Sequence, residues 1–72
     1  MPKLPVISGI KLVKILVKYF HFFVVGRSGS HISLFNSFAR ITVPLHSELD
    51  KGTLNGILKD AGISREEFLK YV

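Results

Sequence analysis

The stretch "SHISLFNSFARITVP", residues 30–44, contains two short segments that alternate apolar and polar residues, separated by the connector "NSFA". Alternation with a period of two is typical of β-strands that bury one face. Pairing residues 30–35 with residues 40–44 places Leu34 opposite Ile41, so that each buried residue meets a buried one. We therefore predict an antiparallel hairpin. Its inward-facing residues are predicted to be Ile32, Leu34, Ile41 and Val43.

A third extended segment, "FFVVGR" at residues 22–27, precedes the hairpin and is joined to it by the dipeptide "SG". Serine and glycine are typical of tight turns, so we predict a three-stranded antiparallel meander. Alternation along this segment predicts that Phe23 and Val25 are buried. The other face of the sheet is then open to solvent, and we predict that it carries Phe22, Val24, Gly26, His31, Ser33, Phe35, Arg40 and Thr42.

A first helix is predicted before the strands. Ser8 is a suitable N-cap for a helix that runs from Gly9 to about Phe20. Its apolar residues recur at helical spacing, which predicts one buried stripe, and three lysines share the opposite side. The stripe is Val13, Leu16, Val17 and Phe20, and the lysines are Lys11, Lys14 and Lys18.

Two further helices are predicted after the strands. The segment "TLNGILKDAG" has apolar residues at helical spacing and closes with Gly62, a common residue at helix ends. Ser64 and Glu67 then form the capping box of a last short helix. The element order predicts an α+β fold, α-β-β-β-α, with a three-stranded antiparallel sheet and the helices on one face.

Length and composition limit the class of protein. A chain of 72 residues buries about 60% of its unfolded surface, so we predict one domain over residues 1–72. The net charge of +5 favours a polyanionic partner such as nucleic acid. The chain has no cysteine, so it has neither a disulfide nor a thiolate metal site, which fits the reducing cytoplasm.

The apolar segment near the N-terminus does not have the pattern of a membrane span. A span needs about 20 nearly uncharged residues, whereas Lys11, Lys14, Lys18 and His21 interrupt this segment. No small-residue cleavage site follows it, so we expect no signal peptide. The first helix is cationic and amphipathic, and such a helix also suggests a membrane-active domain. The capped helices and consistent strand register outside it argue against that class and favour a cytoplasmic protein without a membrane partner.

His31 is the candidate catalytic residue. Imidazole takes and gives a proton near neutral pH, and RNA carries its own nucleophile, the 2′-hydroxyl. A base near that hydroxyl and a cation near the phosphate favour internal transesterification without a metal or cofactor. His31 is the candidate base, and His46 is a candidate for a second group. The candidate RNA contacts are Arg27, Gly29, Ser30, Arg40 and Lys51.

Two interpretations of this surface remain open at this point. A histidine beside a turn is most often an ordinary surface residue, and a fold of this kind also binds RNA without cutting it. The chain is therefore either a ribonuclease or a non-catalytic RNA-binding domain. The three histidines do not have a metal-ligand spacing, so we expect no metal site.

Five segments, in order along nearly the whole chain, resemble the HicA family of small toxins, the mRNA interferases of toxin–antitoxin pairs. The segments are "PVISG" at 5–9, "LVKIL" at 12–16, "GSH" at 29–31, "ITVPLH" at 41–46 and "KGTLNGILKDAGIS" at 51–64. Family members commonly end the first helix with a Gly-Phe pair, whereas this chain reads "KYFHFF" and has no glycine there.

The resemblance implies a fold, an activity and a partner. It implies a fold like that of double-stranded-RNA-binding domains and an endoribonuclease that cleaves mRNA with His31 as its single catalytic residue. It also implies a HicB-type antitoxin that covers the toxin. Because exposed apolar groups mark interaction sites, we expect the antitoxin to contact Phe22 and Phe35 on the open face of the sheet.

Overall fold

The computed structural model describes residues 3–72 and has the predicted α+β order of elements. Three helices and three strands make up this part of the chain, and the sheet is antiparallel with the order β1-β2-β3. The predicted fold class is therefore confirmed. The elements are α1 (Gly9–Tyr19), β1 (Phe23–Ser28), β2 (His31–Phe35), β3 (Arg40–Pro44), α2 (Lys51–Ala61) and α3 (Arg65–Leu69).

The predicted pairing of β2 with β3 is also confirmed. Leu34 lies opposite Ile41, and both side chains are buried in the core on the helix-covered face. The connector between the strands is held by Asn36, whose side-chain oxygen accepts the N–H groups of Phe38 and Ala39 at 2.8 and 2.9 Å. This local turn fixes the register, because a slip by one residue would move every buried side chain to the open face.

The predicted faces of β1 are wrong before Gly26, because the strand contains a bulge, whereas Gly26 lies opposite Ser33 on the open face as predicted. The register with β2 shifts between Val24 and Gly26, leaving Val25 without a partner residue. Phe23 is therefore turned to the open face and is 63% exposed, opposite Phe35. Val24 faces the same side as Leu34 but is 52% exposed, because the helices pack mainly over β3 and leave β1 uncovered.

Phe22 is in the core, and its predicted position on the open face is wrong. It precedes β1 and is only 1% exposed. Its backbone N–H donates to the carbonyl of Leu16, so the end of α1 directs this side chain inward before the strand begins. Because Phe22 has almost no surface in the folded domain, it cannot contact an antitoxin as we expected.

Helix α1 begins at the predicted N-cap, and its buried side overlaps the predicted stripe in part: Leu16 is buried, and Val13 and Phe20 pack against the core. The Ser8 side chain accepts the backbone N–H of Lys11 at 3.1 Å, as a capping serine does. The buried side is formed by Gly9, Leu12, Ile15 and Leu16, and the predicted stripe residue Val17 is 44% exposed. Both stripes satisfy helical spacing, since this helix carries apolar residues on most of its circumference. Only the tertiary packing distinguishes them.

A histidine follows α1 at the place where the sequence "KYFHFF" has no glycine. His21 has φ 60°, the left-handed conformation that usually belongs to glycine after a helix. His21 adopts this conformation although it has a Cβ atom, which costs about 1–2 kcal/mol of conformational energy.

Gly9 fixes the position of α1 against the sheet. Its N–H donates to the carbonyl of His46 at 3.0 Å. A Cβ atom at this position would overlap the carbonyl oxygen of Pro44 and lie 3.0 Å from Cα of Leu45. The first residue of the helix therefore touches the backbone at the end of β3, an approach that only glycine permits.

The C-terminal residues pack back on the end of α1. Phe68 of α3 is completely buried in the core. Tyr71 stacks on Tyr19 with the ring centroids 4.3 Å apart and the planes 17° apart, and it meets the edge of Phe20 at 5.5 Å. Ser64 caps α3 through the N–H of Glu67, which confirms the predicted capping box in part.

Asp50 caps α2 and gives the fold a pH dependence. Its carboxylate accepts the backbone N–H of Thr53 at 2.7 Å and the Thr53 hydroxyl at 3.1 Å. The backbone hydrogen bond, followed by the hydroxyl, holds the pKa of Asp50 below its ordinary value of 3.8. A depressed carboxyl pKa contributes stability above the unfolded-state pKa, and this contribution is lost as the pH falls through the folded-state pKa.

We therefore expect Asp50→Asn to lose less stability than the wild type between pH 7 and pH 3, since asparagine caps the helix without titrating there. Urea unfolding at the two pH values measures the difference. Equal losses in the two proteins would contradict the assignment, because the other carboxyl groups are common to both.

Candidate nucleic-acid interface

The turn before His31 is a two-residue hairpin loop made of Gly29 and Ser30. Ser28 and His31 are paired on either side of it, and Gly29 has φ 59°. A positive φ at the first loop position is the property of a type II′ turn, which matches the twist of the strands and favours glycine there. The side chain of Arg27 closes over the turn, with its Nε donating to the Gly29 carbonyl at 3.0 Å.

His31 lies on the open face of the sheet, as predicted. Its neighbours across the strands are Ser28 on β1 and Pro44 on β3, and its side chain is exposed. The inward-facing residue next to it, Ile32, packs against the core instead. The imidazole is therefore accessible to a ligand, and it is presented by a strand that is hydrogen-bonded on both sides.

The loop after β3 is tied to the same end of the sheet. The Leu45 N–H donates to the carbonyl of Ser30 at 2.6 Å, and the next residue, His46, accepts the Gly9 N–H. His46 is exposed. The backbone thus brings both histidines to one end of the sheet. Lys51, also exposed, follows as the first residue of α2.

Neither Arg27 nor Arg40 lies directly beside His31 on the open face. Arg27 is opposite Ile32, so its Cβ lies on the other face of the sheet, and its guanidinium is already bound to the turn. Arg40 shares the open face but is opposite Phe35, four residues along β2 from His31. At about 3.3 Å per residue, this separation is roughly 13 Å. Arg40 is therefore not a direct neighbour of His31 on this face.

An apolar cluster occupies the Arg40 end of the open face. The rings of Phe23 and Phe35 have centroids 5.9 Å apart, and Phe38 in the next connector is 92% exposed. A shallow depression in this surface is lined by Val25, Phe35, Asn36, Phe38, Ala39 and Arg40. Phe35 is thus exposed as predicted, but its aromatic neighbour is Phe23 rather than Phe22. No pattern in the sequence indicated this exchange, since it depends on the bulge.

Two further features of the described residues concern the requirements of a metal site and of a membrane-spanning helix. Among residues 3–72, no group of three or more histidine, aspartate or glutamate side chains is arranged to hold a metal ion. In the same residues, no helix has the length and apolar character that crossing a membrane requires.

Comparison with known protein families gives a match over most of the chain. Residues 9–63 match the family model described as the HicA toxin of bacterial toxin–antitoxin systems. No curated protein and no solved structure matches the chain significantly. The matched segment begins at the glycine that packs on Pro44 and includes the whole sheet, the His31 turn and α2. Since it spans well over half of the 72 residues, the chain belongs to the HicA family of toxins from bacterial toxin–antitoxin systems.

Proposed function

We propose that this toxin is a metal-independent endoribonuclease that cleaves mRNA in the cytoplasm, with His31 as its catalytic residue. The observation that carries the proposal is the exposed imidazole on the open face, beside a glycine turn. Neither Ser28 nor Gly29 places a bulky side chain next to it, so an RNA backbone has room to approach. The net charge of +5 favours that approach.

The reaction uses the nucleophile that RNA supplies. The neutral imidazole of His31 takes the proton of a 2′-hydroxyl, and the resulting oxygen attacks the adjacent phosphorus. The bond from phosphorus to the 5′-oxygen breaks, which leaves a cyclic phosphate on one product. The 5′-oxygen receives a proton from water or from a second group, for which His46 is the candidate at the same end of the sheet. The protein supplies the base, and no cofactor enters any step.

The proposed RNA contacts divide into two groups by position. Gly29 and Ser30 form the turn next to His31, and Lys51 follows the loop that is bonded to Ser30. These residues suit the phosphates at or next to the cleaved bond. Arg27 starts on the other face of the sheet and closes the turn, so it suits a phosphate outside the His31 site. Arg40 lies about 13 Å away and suits a phosphate further along the same strand. Phosphate contacts of this kind position RNA without reading its sequence.

Membership of a toxin–antitoxin family implies an antitoxin partner. We propose a HicB-type protein that covers the open face and so excludes RNA from His31. Phe35 supports this assignment, because it is exposed on the same face of the same strand as His31. Because Phe35 is 43% exposed, its complete burial by a partner gains less than half of the value for a fully exposed ring, about 1 kcal/mol.

Cleavage of RNA in the presence of EDTA tests the activity. We expect the purified chain to cut long single-stranded RNA equally well with and without the chelator, because the 2′-hydroxyl and an imidazole need no metal. Fragments are resolved on a denaturing gel. Binding without fragments would favour the non-catalytic RNA-binding domain, and fragments that disappear with EDTA would contradict the metal-independent mechanism.

A further inference from the structure

Strand β1 has a free outer edge. It is the first strand of the sheet and pairs only with β2, and no other strand among residues 3–72 lies against its outer side. All six of its residues are exposed. Free edges are places where another chain adds a strand, and proteins usually protect them with charges or prolines. This edge has neither at its first four residues, "FVVG".

The pairing shows which backbone groups face outward. Leu45 bonds to Ser30 and Asn36 bonds to Ala39, so the even-numbered residues of β2 bond to β3. The odd-numbered residues then bond to β1, since the N–H and C=O groups of successive residues point to opposite sides of a strand. Their partners on β1 are Phe23, Gly26 and Ser28. The N–H and C=O groups of Val24 and Arg27 therefore point to the free edge.

The side chains around this edge are apolar on both faces of the sheet, with Val24 on the helix side and the phenylalanines on the open face. Val24 and Val25 lie on the edge strand itself, and Phe23, Phe35 and Phe38 continue the surface over the open face. Its two charged neighbours are both cations: Arg27 is at one end of β1, and Arg40 borders the depression beside Phe38. The surface thus suits a strand with apolar side chains in the middle and carboxylates toward its ends.

We propose that the antitoxin docks by adding a strand to the free edge of β1, with apolar side chains over Phe23, Phe35 and Phe38 and carboxylates directed to Arg27 and Arg40. The inference rests on the proposed function for the identity of the partner. Charge supports an acidic partner over a second copy of this chain, because two copies would each carry +5 into the contact.

Strand addition also accounts for inhibition. Ser28 is the last residue of β1 and lies directly opposite His31. A strand that pairs with Val24 and Arg27 continues past Ser28, next to the turn where RNA would approach. The partner therefore blocks the imidazole without contacting the core or changing the fold.

Two variants at one position separate the backbone from the side chain. Val24→Ala removes the side chain and keeps the outward N–H, whereas Val24→Pro also removes the N–H and leaves the β1–β2 bonds in place. Prolines are tolerated at edge positions of this kind. We expect Val24→Pro to bind the purified antitoxin of this pair at least about tenfold more weakly than Val24→Ala, the loss expected for one interchain hydrogen bond. Equal affinities of the two folded variants would overturn the proposal.

Amide hydrogen exchange tests the same contact in the unmodified protein, so it does not depend on the folding of a variant. We expect the Val24 and Arg27 amides to exchange quickly in the free toxin and slowly in the complex. Unchanged exchange at both amides would overturn strand addition. Slow exchange in the free toxin at high concentration would assign the edge to a second copy instead.

RNA cleavage by the free wild type and both variants distinguishes this inference from the proposed function. We expect all three to cut RNA equally, since Val24 is outside the His31 site. If none of the three proteins cuts RNA but the exchange of the Val24 and Arg27 amides slows in the complex, the proposed ribonuclease activity is contradicted. Strand addition to β1 is then still supported.

Discussion

His31→Ala is expected to lower the rate of RNA cleavage by about 10²- to 10⁴-fold, the usual contribution of a positioned general base. The loss should appear in the catalytic rate, because the variant keeps the proposed phosphate contacts of the turn and of Lys51. The fold should persist, since His31 is exposed and is not part of the core. Initial rates on a fluorescent oligoribonucleotide, with circular dichroism of both proteins, measure the two properties separately.

The matched control removes a histidine elsewhere. His21→Gly deletes an exposed imidazole after the C-terminal end of α1. It also removes the conformational strain of a left-handed residue, because glycine adopts that conformation freely. This variant should cleave RNA at the wild-type rate and unfold at a higher temperature. If His31→Ala also retains wild-type cleavage, His31 is not the catalyst, and another group must act as the base.

Gly9→Ala is expected to destabilise the protein by about 3 kcal/mol or more, because the new methyl group overlaps rigid backbone rather than a movable side chain. A domain of this length has a total stability on the order of 4–10 kcal/mol, so the substitution removes a large part of it. The only relief is to move α1 away from the end of β3. That movement also breaks the hydrogen bond from Gly9 to His46 and disturbs the end of the sheet that holds His31.

Gly56→Ala is the control for this substitution. Gly56 is within α2, and a Cβ atom there meets nothing within 4 Å. Alanine should therefore stabilise the helix by about 0.5–1 kcal/mol. Urea unfolding of the two variants measures both changes. A Gly9→Ala protein as stable as the wild type would show that α1 does not contact the Pro44 backbone in solution.

The hairpin of β2 and β3 was predictable because two independent constraints agree. The alternation of Ile32 and Leu34 matches that of Ile41 and Val43, and a four-residue connector allows only the register that joins them. Three of the helix boundaries were also predictable, since Ser8, Gly62 and Ser64 are capping residues whose local chemistry does not depend on the rest of the fold.

The errors arise where the sequence allows two solutions of similar local energy. The "FFVV" segment at 22–25 is apolar at every position, so no alternation shows where a bulge shifts the register. Helix α1 offers two apolar sides for the same reason. In both places, the choice depends on contacts distant in sequence, such as that of Gly9 with Pro44, which local patterns do not contain.

The candidate site was predictable only in part. The position of His31 followed from the alternation of β2 and the glycine turn, both of which are local. The separation of Arg40 from His31 also follows from the predicted register, since Arg40 is opposite Phe35. The face of Arg27 also follows from the predicted alternation, since Gly26 is predicted on the open face, but its hydrogen bond to the Gly29 carbonyl does not.

The stacked pair of Tyr19 and Tyr71 gives this protein a spectroscopic reporter at a single place. The chain has no tryptophan and only two tyrosines, and both belong to this pair. Near-ultraviolet circular dichroism, to which the less strongly absorbing phenylalanines add only weak bands, is therefore dominated by the contact between the last residues and the end of α1. If those residues detach before the sheet melts, this signal falls while the far-ultraviolet signal remains. The two wavelengths then report two different events in the unfolding of one small chain.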